Sequence, residues 1–113
     1  MKIMRKDEFL KLPEGTIYAK GREWYFGNLN IKGESLDHDW YTLDVCWIEA
    51  FDDEEQFSRL EDMIKNGASY PMQESACRDG MFEEDALFLI FERDDLLKLQ
   101  DYIQQALEKS MKK

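Results

Sequence analysis

Between Thr16 and Ile48 apolar and polar positions alternate with a period of two, whereas beyond Asp52 they recur every three to four residues. The first pattern predicts strands and the second predicts helix. Before them, Phe9, Leu10 and Leu12 follow the charged string Arg5-Lys6-Asp7-Glu8. Residues 5 to 11 therefore read as a short helix that covers one end of the core and stops at Pro13 and the Glu14-Gly15 turn. Thr16 to Lys20 and Glu23 to Phe26 flank Gly21-Arg22, a glycine-first pair that suits a hairpin turn. Gly27-Asn28 then breaks or bulges the second strand before Leu29 and Ile31 resume the alternation up to Gly33.

A third strand begins after the loop 34 to 39. It carries Tyr41, Leu43, Val45 and Trp47 on one face and Trp40, Thr42, Asp44, Cys46 and Ile48 on the other. The first set is the better core face. Asp52-Asp53-Glu54-Glu55 opens a helix with carboxylates at the end where free N–H groups favour negative charge. Phe57, Leu60, Met63 and Ile64 form its apolar stripe, and Gly67 is a natural stop.

Residues 68 to 85 show no period. Ala86 to Phe91 is apolar throughout and reads as a central strand. The last helix starts near Asp94 or Asp95 and buries Leu96, Leu99, Ile103, Ala106 and Leu107. The expected order is α-β-β-β-α-β-α: an α+β fold in which helices pack on a four-stranded, mostly antiparallel sheet, as one domain over residues 1 to 113.

Composition sharpens this picture. The apolar fraction of 43% is enough for a core, and 113 residues leave no room for a second. No apolar run approaches the ~18 residues of a membrane span, and the charged N-terminus does not resemble a secretory leader, so a cytoplasmic location is expected. Cys46 and Cys77 allow at most one bridge, and in that compartment they are expected to be reduced.

The net charge of -10 is unevenly placed. Residues 1 to 33 hold seven bases and four acids, residues 34 to 95 four bases and nineteen acids, and residues 96 to 113 four bases and two acids. So anionic a middle segment disfavours direct binding to nucleic acid or to an anionic membrane.

Candidate chemistry is sparse. His38 lies between Asp37 and Asp39, but no second histidine or nearby cysteine pair completes a metal site. Neither cysteine has an evident base to activate it as a nucleophile. Asp79-Gly80 invites comparison with a calcium loop, yet that register puts Ser75, Cys77 and Asp79 at the first ligand positions and Ala86 where a bidentate glutamate belongs. No cofactor, no metal and no enzymatic activity are therefore expected.

Two binding surfaces remain. One is acidic: Asp52, Glu55 and Asp62 on the first long helix, with Glu74, Arg78, Asp79, Glu83, Glu84 and Asp85 around the following loop. Gathered on one side, these carboxylates could imitate a phosphate backbone and occupy the nucleic-acid cleft of another protein. The alternative is a nucleotide or small-ligand patch in which Trp24 and Tyr25 stack a base and Lys20, Arg22 and Lys32 neutralise a phosphate. Met72, Met81 and Phe82 are apolar groups in the irregular stretch that leave a homodimer open.

Three strings carry a family likeness: Phe9-Leu10-Lys11-Leu12-Pro13-Glu14-Gly15-Thr16-Ile17-Tyr18, Phe26-Gly27-Asn28-Leu29-Asn30-Ile31-Lys32-Gly33-Glu34, and Cys77 to Phe88. They resemble a family of small proteins of unassigned activity encoded by tailed phages and prophages. The resemblance implies a small accessory protein made during infection or lysogeny, and transfers no catalytic residue. Together with the charge block it leads to the expectation of a non-enzymatic protein that binds a host or phage protein through its acidic surface.

Overall fold

The computed structural model describes residues 1–48, 52–78 and 83–111. The order is β1 (Lys2–Arg5), α1 (Lys6–Phe9), β2 (Ile17–Arg22), β3 (Tyr25–Ser35), β4 (Trp40–Ile48), α2 (Asp53–Asn66), β5 (Met72–Arg78), β6 (Leu87–Ile90) and α3 (Arg93–Ser110). The strands form one antiparallel sheet ordered β1-β6-β2-β3-β4-β5. It is an α+β fold, but with six strands where four were expected.

Both additional strands are sheet edges. β1 is four residues long, too short to show a period, and its pairing of Met4 with Phe88 supplies what its local sequence does not. β5, Met-Gln-Glu-Ser-Ala-Cys-Arg, lacks apolar alternation because an edge strand has a neighbour on one side only. β6 runs between β1 and β2, the central place expected for the apolar string.

Local signals place several boundaries correctly. Asp52 caps α2 by accepting from the Glu55 N–H at 2.9 Å, and Gly67 ends it in the left-handed conformation at φ 68°. β3 bulges at Gly27-Asn28, since Ala19 pairs with Leu29 and Gly21 with Phe26. The hairpin tip, however, is Glu23-Trp24, with Arg22 paired to Tyr25. Gly21 serves a different purpose: a Cβ there would lie 2.1 Å from the Tyr25 carbonyl oxygen, so only glycine permits the close crossing of the two strands.

One face of the sheet carries the core. Phe9 of α1 stacks on Phe88 with ring centroids 4.1 Å apart, and Trp40 meets both rings edge-on at 5.2 Å. Tyr18, Ala86 and Ile90 complete the cluster, with Met4, Leu10 and Leu12 at its margin. The buried face of β4 is thus the one with Trp40 and Thr42, while Tyr41 is exposed and Leu43 half-buried, the reverse of the expectation. Alternation with apolar groups on both sides carries no sign. Tyr18 decides it by drawing Trp40 and Thr42 to its hydroxyl.

The opposite face is apolar too. Ile17, Ile31, Leu43 and Ala76 form one cross-strand row, and Ile3, Leu89, Ala19 and Leu29 another. Neither α2 nor α3 fully buries a residue. Among the described residues, no helix is long and apolar enough to cross a membrane.

Candidate functional surfaces

The acidic turn before β6 is fastened to the sheet by cations from the N-terminal third. Glu83 lies 3.1 Å from the Arg22 guanidinium and 3.8 Å from the Lys20 ammonium, and Glu84 accepts from the buried Lys6 at 3.2 Å. Asp85 borders a small depression of about 410 Å³ with Arg5, Arg22 and Trp24. Among the described residues Arg78 pairs with Asp39 and not with Glu83. Its Nε donates to Asp39 at 3.2 Å, and Asp39 also accepts from the Trp40 N–H. Asp79 lies outside the described residues, as does the side chain of Glu74 on β5.

The other carboxylates stand elsewhere. α2 precedes the start of β5 at Met72, whereas the 83–85 turn follows its end at Arg78, so the two groups attach at opposite ends of one strand. Within α2, Asp52 is the cap, Glu55 pairs with Arg59 at 2.5 Å, and Asp62 accepts from Tyr70 at 2.6 Å and from Asn66 at 2.7 Å. The Tyr70 hydroxyl, then Asn66, holds the Asp62 carboxyl below its ordinary range. Asp53 and Glu54 are exposed.

The aromatic and basic set is only partly assembled. Arg22 and Trp24 meet at the hairpin tip, where Trp24 is 83% exposed and Tyr25 is also open to solvent. Lys20 and Arg22 already face Glu83. Lys32 is 1% exposed, with its ammonium donating to Ser35 Oγ at 2.6 Å and to the Gly33 carbonyl at 3.1 Å. It belongs to the core and cannot meet a ligand at that tip. A β-strand side chain between Ile31 and Gly33 reads as exposed from sequence, and only the position of α1 above it closes the site.

His38 is exposed, 3.4 Å from Asp37, and the exposed Cys77 Sγ lies 3.9 Å from the Asp44 carboxylate. Among the described residues, no three histidine, cysteine or acidic side chains are grouped to hold a metal ion.

The largest departure from expectation is in the helices. Half of the α2 stripe faces water: Phe57 is 75% and Ile64 82% exposed, whereas Leu60 and Met63 are half-buried. Under α3 an apolar groove of about 910 Å³ opens between Leu96, Leu99 and Ile103 of the helix and Ile17, Leu29 and Met72 of the sheet. The stripes themselves are legible in the sequence. What they meet is not, because periodicity reports an apolar face and never its partner.

Comparison with protein-family models, with curated proteins and with solved structures finds no match to this chain.

Proposed function

We propose that this protein is a non-enzymatic binding protein that acts by laying α2 into an apolar groove on another protein. The observation that carries the reading is the exposure of Phe57 and Ile64 on a helix that buries no residue fully. With Leu60 they stand at i, i+3 and i+7, the spacing by which a recognition helix presents its anchors. Six acids and two bases between Asp52 and Asn66 surround these anchors with net negative charge, which fits a groove with a basic rim. The acidic contact expected from sequence is thereby narrowed to one helix. Glu83 and Glu84, already paired with cations of their own chain, are less available to a partner.

The three phage-like strings supply the setting of the proposal: an accessory protein acting on a host or phage protein in a bacterial cytoplasm. A photo-crosslinking residue placed at Phe57, activated in bacterial cells, should yield one discrete adduct. Ile64→Ala should weaken that adduct about tenfold or more, as loss of a central anchor does. Raised salt should weaken it further. Absence of any adduct, or an adduct indifferent to Ile64, would overturn the reading.

A further inference from the structure

We propose that the apolar groove between α3 and the sheet is the binding site of a free fatty acid, a single alkyl chain that lies along α3 with its carboxylate on Arg93. Among the described residues none of α2 lines this groove, so the proposal stands or falls independently of the function above.

Charge is the first argument, and it selects an anionic head. In a chain of net charge -10, the one charged side chain among the described residues lining the groove is a cation, Arg93. The rest of the lining is apolar apart from the neutral amides of Gln100 and Gln104. No ion pair joins Arg93 to another described residue. Its chain neighbours Glu92 and Asp95 are engaged instead with the Met1 amine, at 3.2 and 2.8 Å. Asp94 is the next position round the helix, and adjacent helical residues do not face each other. A guanidinium without a carboxylate, at the head of an apolar wall, suits a carboxylate brought by a ligand, which it can hold through two parallel N–H bonds.

Shape is the second argument, and it selects an alkyl tail. From Arg93 the wall continues through Leu96, Leu97 and Leu99 to Ile103. Those ten helical residues rise ~15 Å, the length of an extended chain of about twelve carbons. The groove's volume of about 910 Å³ falls within the ~300–1,000 Å³ that small-molecule sites span. Leu97, Ile103 and Met72 border it at 48%, 62% and 70% exposure, an apolar margin that a tail would cover. A peptide would bring backbone N–H and C=O groups that each need a partner, and the described lining offers only Arg93, Gln100 and Gln104 to satisfy them. An alkyl chain needs none.

Isothermal titration calorimetry of the full chain with saturated fatty acids of about eight to sixteen carbons, each kept below its micelle concentration, tests this. One site per chain is expected, with affinity rising by up to ~fourfold per methylene and levelling off near twelve carbons, where the tail outgrows the groove. Arg93→Gln should weaken dodecanoate about tenfold or more and leave its methyl ester unchanged, since only the acid meets the guanidinium. Ile103→Ala should weaken dodecanoate about threefold or more and leave octanoate, whose tail stops short of it, unaffected. Circular dichroism should keep the helix signal in both variants, and Phe57→Glu should leave binding intact. No binding at any chain length, an ester that binds as well as the acid, or binding indifferent to Arg93→Gln would overturn the proposal. So would co-sedimentation with phosphatidylglycerol vesicles that free dodecanoate does not compete away, because the groove would then serve a membrane surface.

Discussion

Tyr18 and Trp40, on strands that are not neighbours in the sheet, share one buried hydrogen bond: the indole Nε1–H donates to the Tyr18 hydroxyl at 2.9 Å. The same hydroxyl donates to Thr42 Oγ1 at 2.7 Å, so a chain of three polar groups runs through the core. Tyr18→Phe leaves the indole N–H buried without that acceptor. A loss of about 1–3 kcal/mol is expected in urea unfolding, the cost of an unsatisfied buried donor. Trp40→Phe in the Tyr18→Phe background should cost less than the two single losses added together, because the orphaned group is then gone.

Gly21 on β2 and Gly27 in the β3 bulge have opposite tolerances for a side chain. A Cβ at Gly21 would sit 2.1 Å from the Tyr25 carbonyl oxygen and 2.7 Å from Phe26 Cα, whereas at Gly27 the nearest atom is the Lys20 carbonyl oxygen at 3.4 Å. Gly21→Ala should therefore lower stability by roughly 1–3 kcal/mol, the range of overpacking in a dense site. Gly27→Ala should change it by less than about 0.5 kcal/mol, as surface substitutions do. Equal denaturation midpoints for the two variants would contradict the crossing geometry.

Lys32 holds its ammonium 5.7 Å from the Phe9 ring centroid, and burial pushes its pKa down, with Glu14 opposing weakly. A base whose folded pKa lies below its unfolded value of ~10.4 costs stability wherever it is protonated, and that cost fades as pH climbs from the folded pKa toward the unfolded one. Lys32→Met removes the cost at neutral pH and should be neutral or stabilising, because Ser35 still donates to the Leu10 carbonyl at 2.7 Å. Any advantage of Lys32→Met over the parent should shrink between neutral pH and pH 10. A strong destabilisation at pH 7 would mean that the lysine's own hydrogen bonds outweigh its desolvation.

Asp62 and Tyr70 link the end of α2 to the segment leading into β5, and Arg59 lies 4.9 Å over the Tyr70 ring centroid. The bond from Tyr70 lowers the Asp62 pKa, while Asp62 raises that of Tyr70. The depressed carboxyl contributes stability above its unfolded pKa that is lost as pH falls through the folded value. The raised phenol contributes below its unfolded pKa and loses that as pH rises through the folded value. Tyr70→Phe should flatten both limbs, and an NMR titration should show the Asp62 pKa moving up. An unchanged Asp62 titration in that variant would dismiss the pairing.

Local chemistry accounts for what was readable in advance. Asp52 and Gly67 bound α2 because a carboxylate cap and a left-handed glycine act over one helical turn. The Gly27-Asn28 bulge and the central place of β6 were legible for the same reason, each following from a few adjacent residues. The edge strands β1 and β5 were not, since their evidence lies in the strands beside them.

The candidate sites divide along the same line. Sequence alone determined that the chain is anionic in its middle, forms an α+β fold and carries two amphipathic helices, because charge, period and capping are properties of neighbouring residues. Only the tertiary structure decided that Lys32 is buried under Phe9, that Glu83 and Glu84 are held by Arg22 and Lys6, and that Phe57 and Ile64 face water. Each of those outcomes depends on which residues distant along the chain come to occupy the same few ångströms. A one-dimensional pattern holds no coordinate for that.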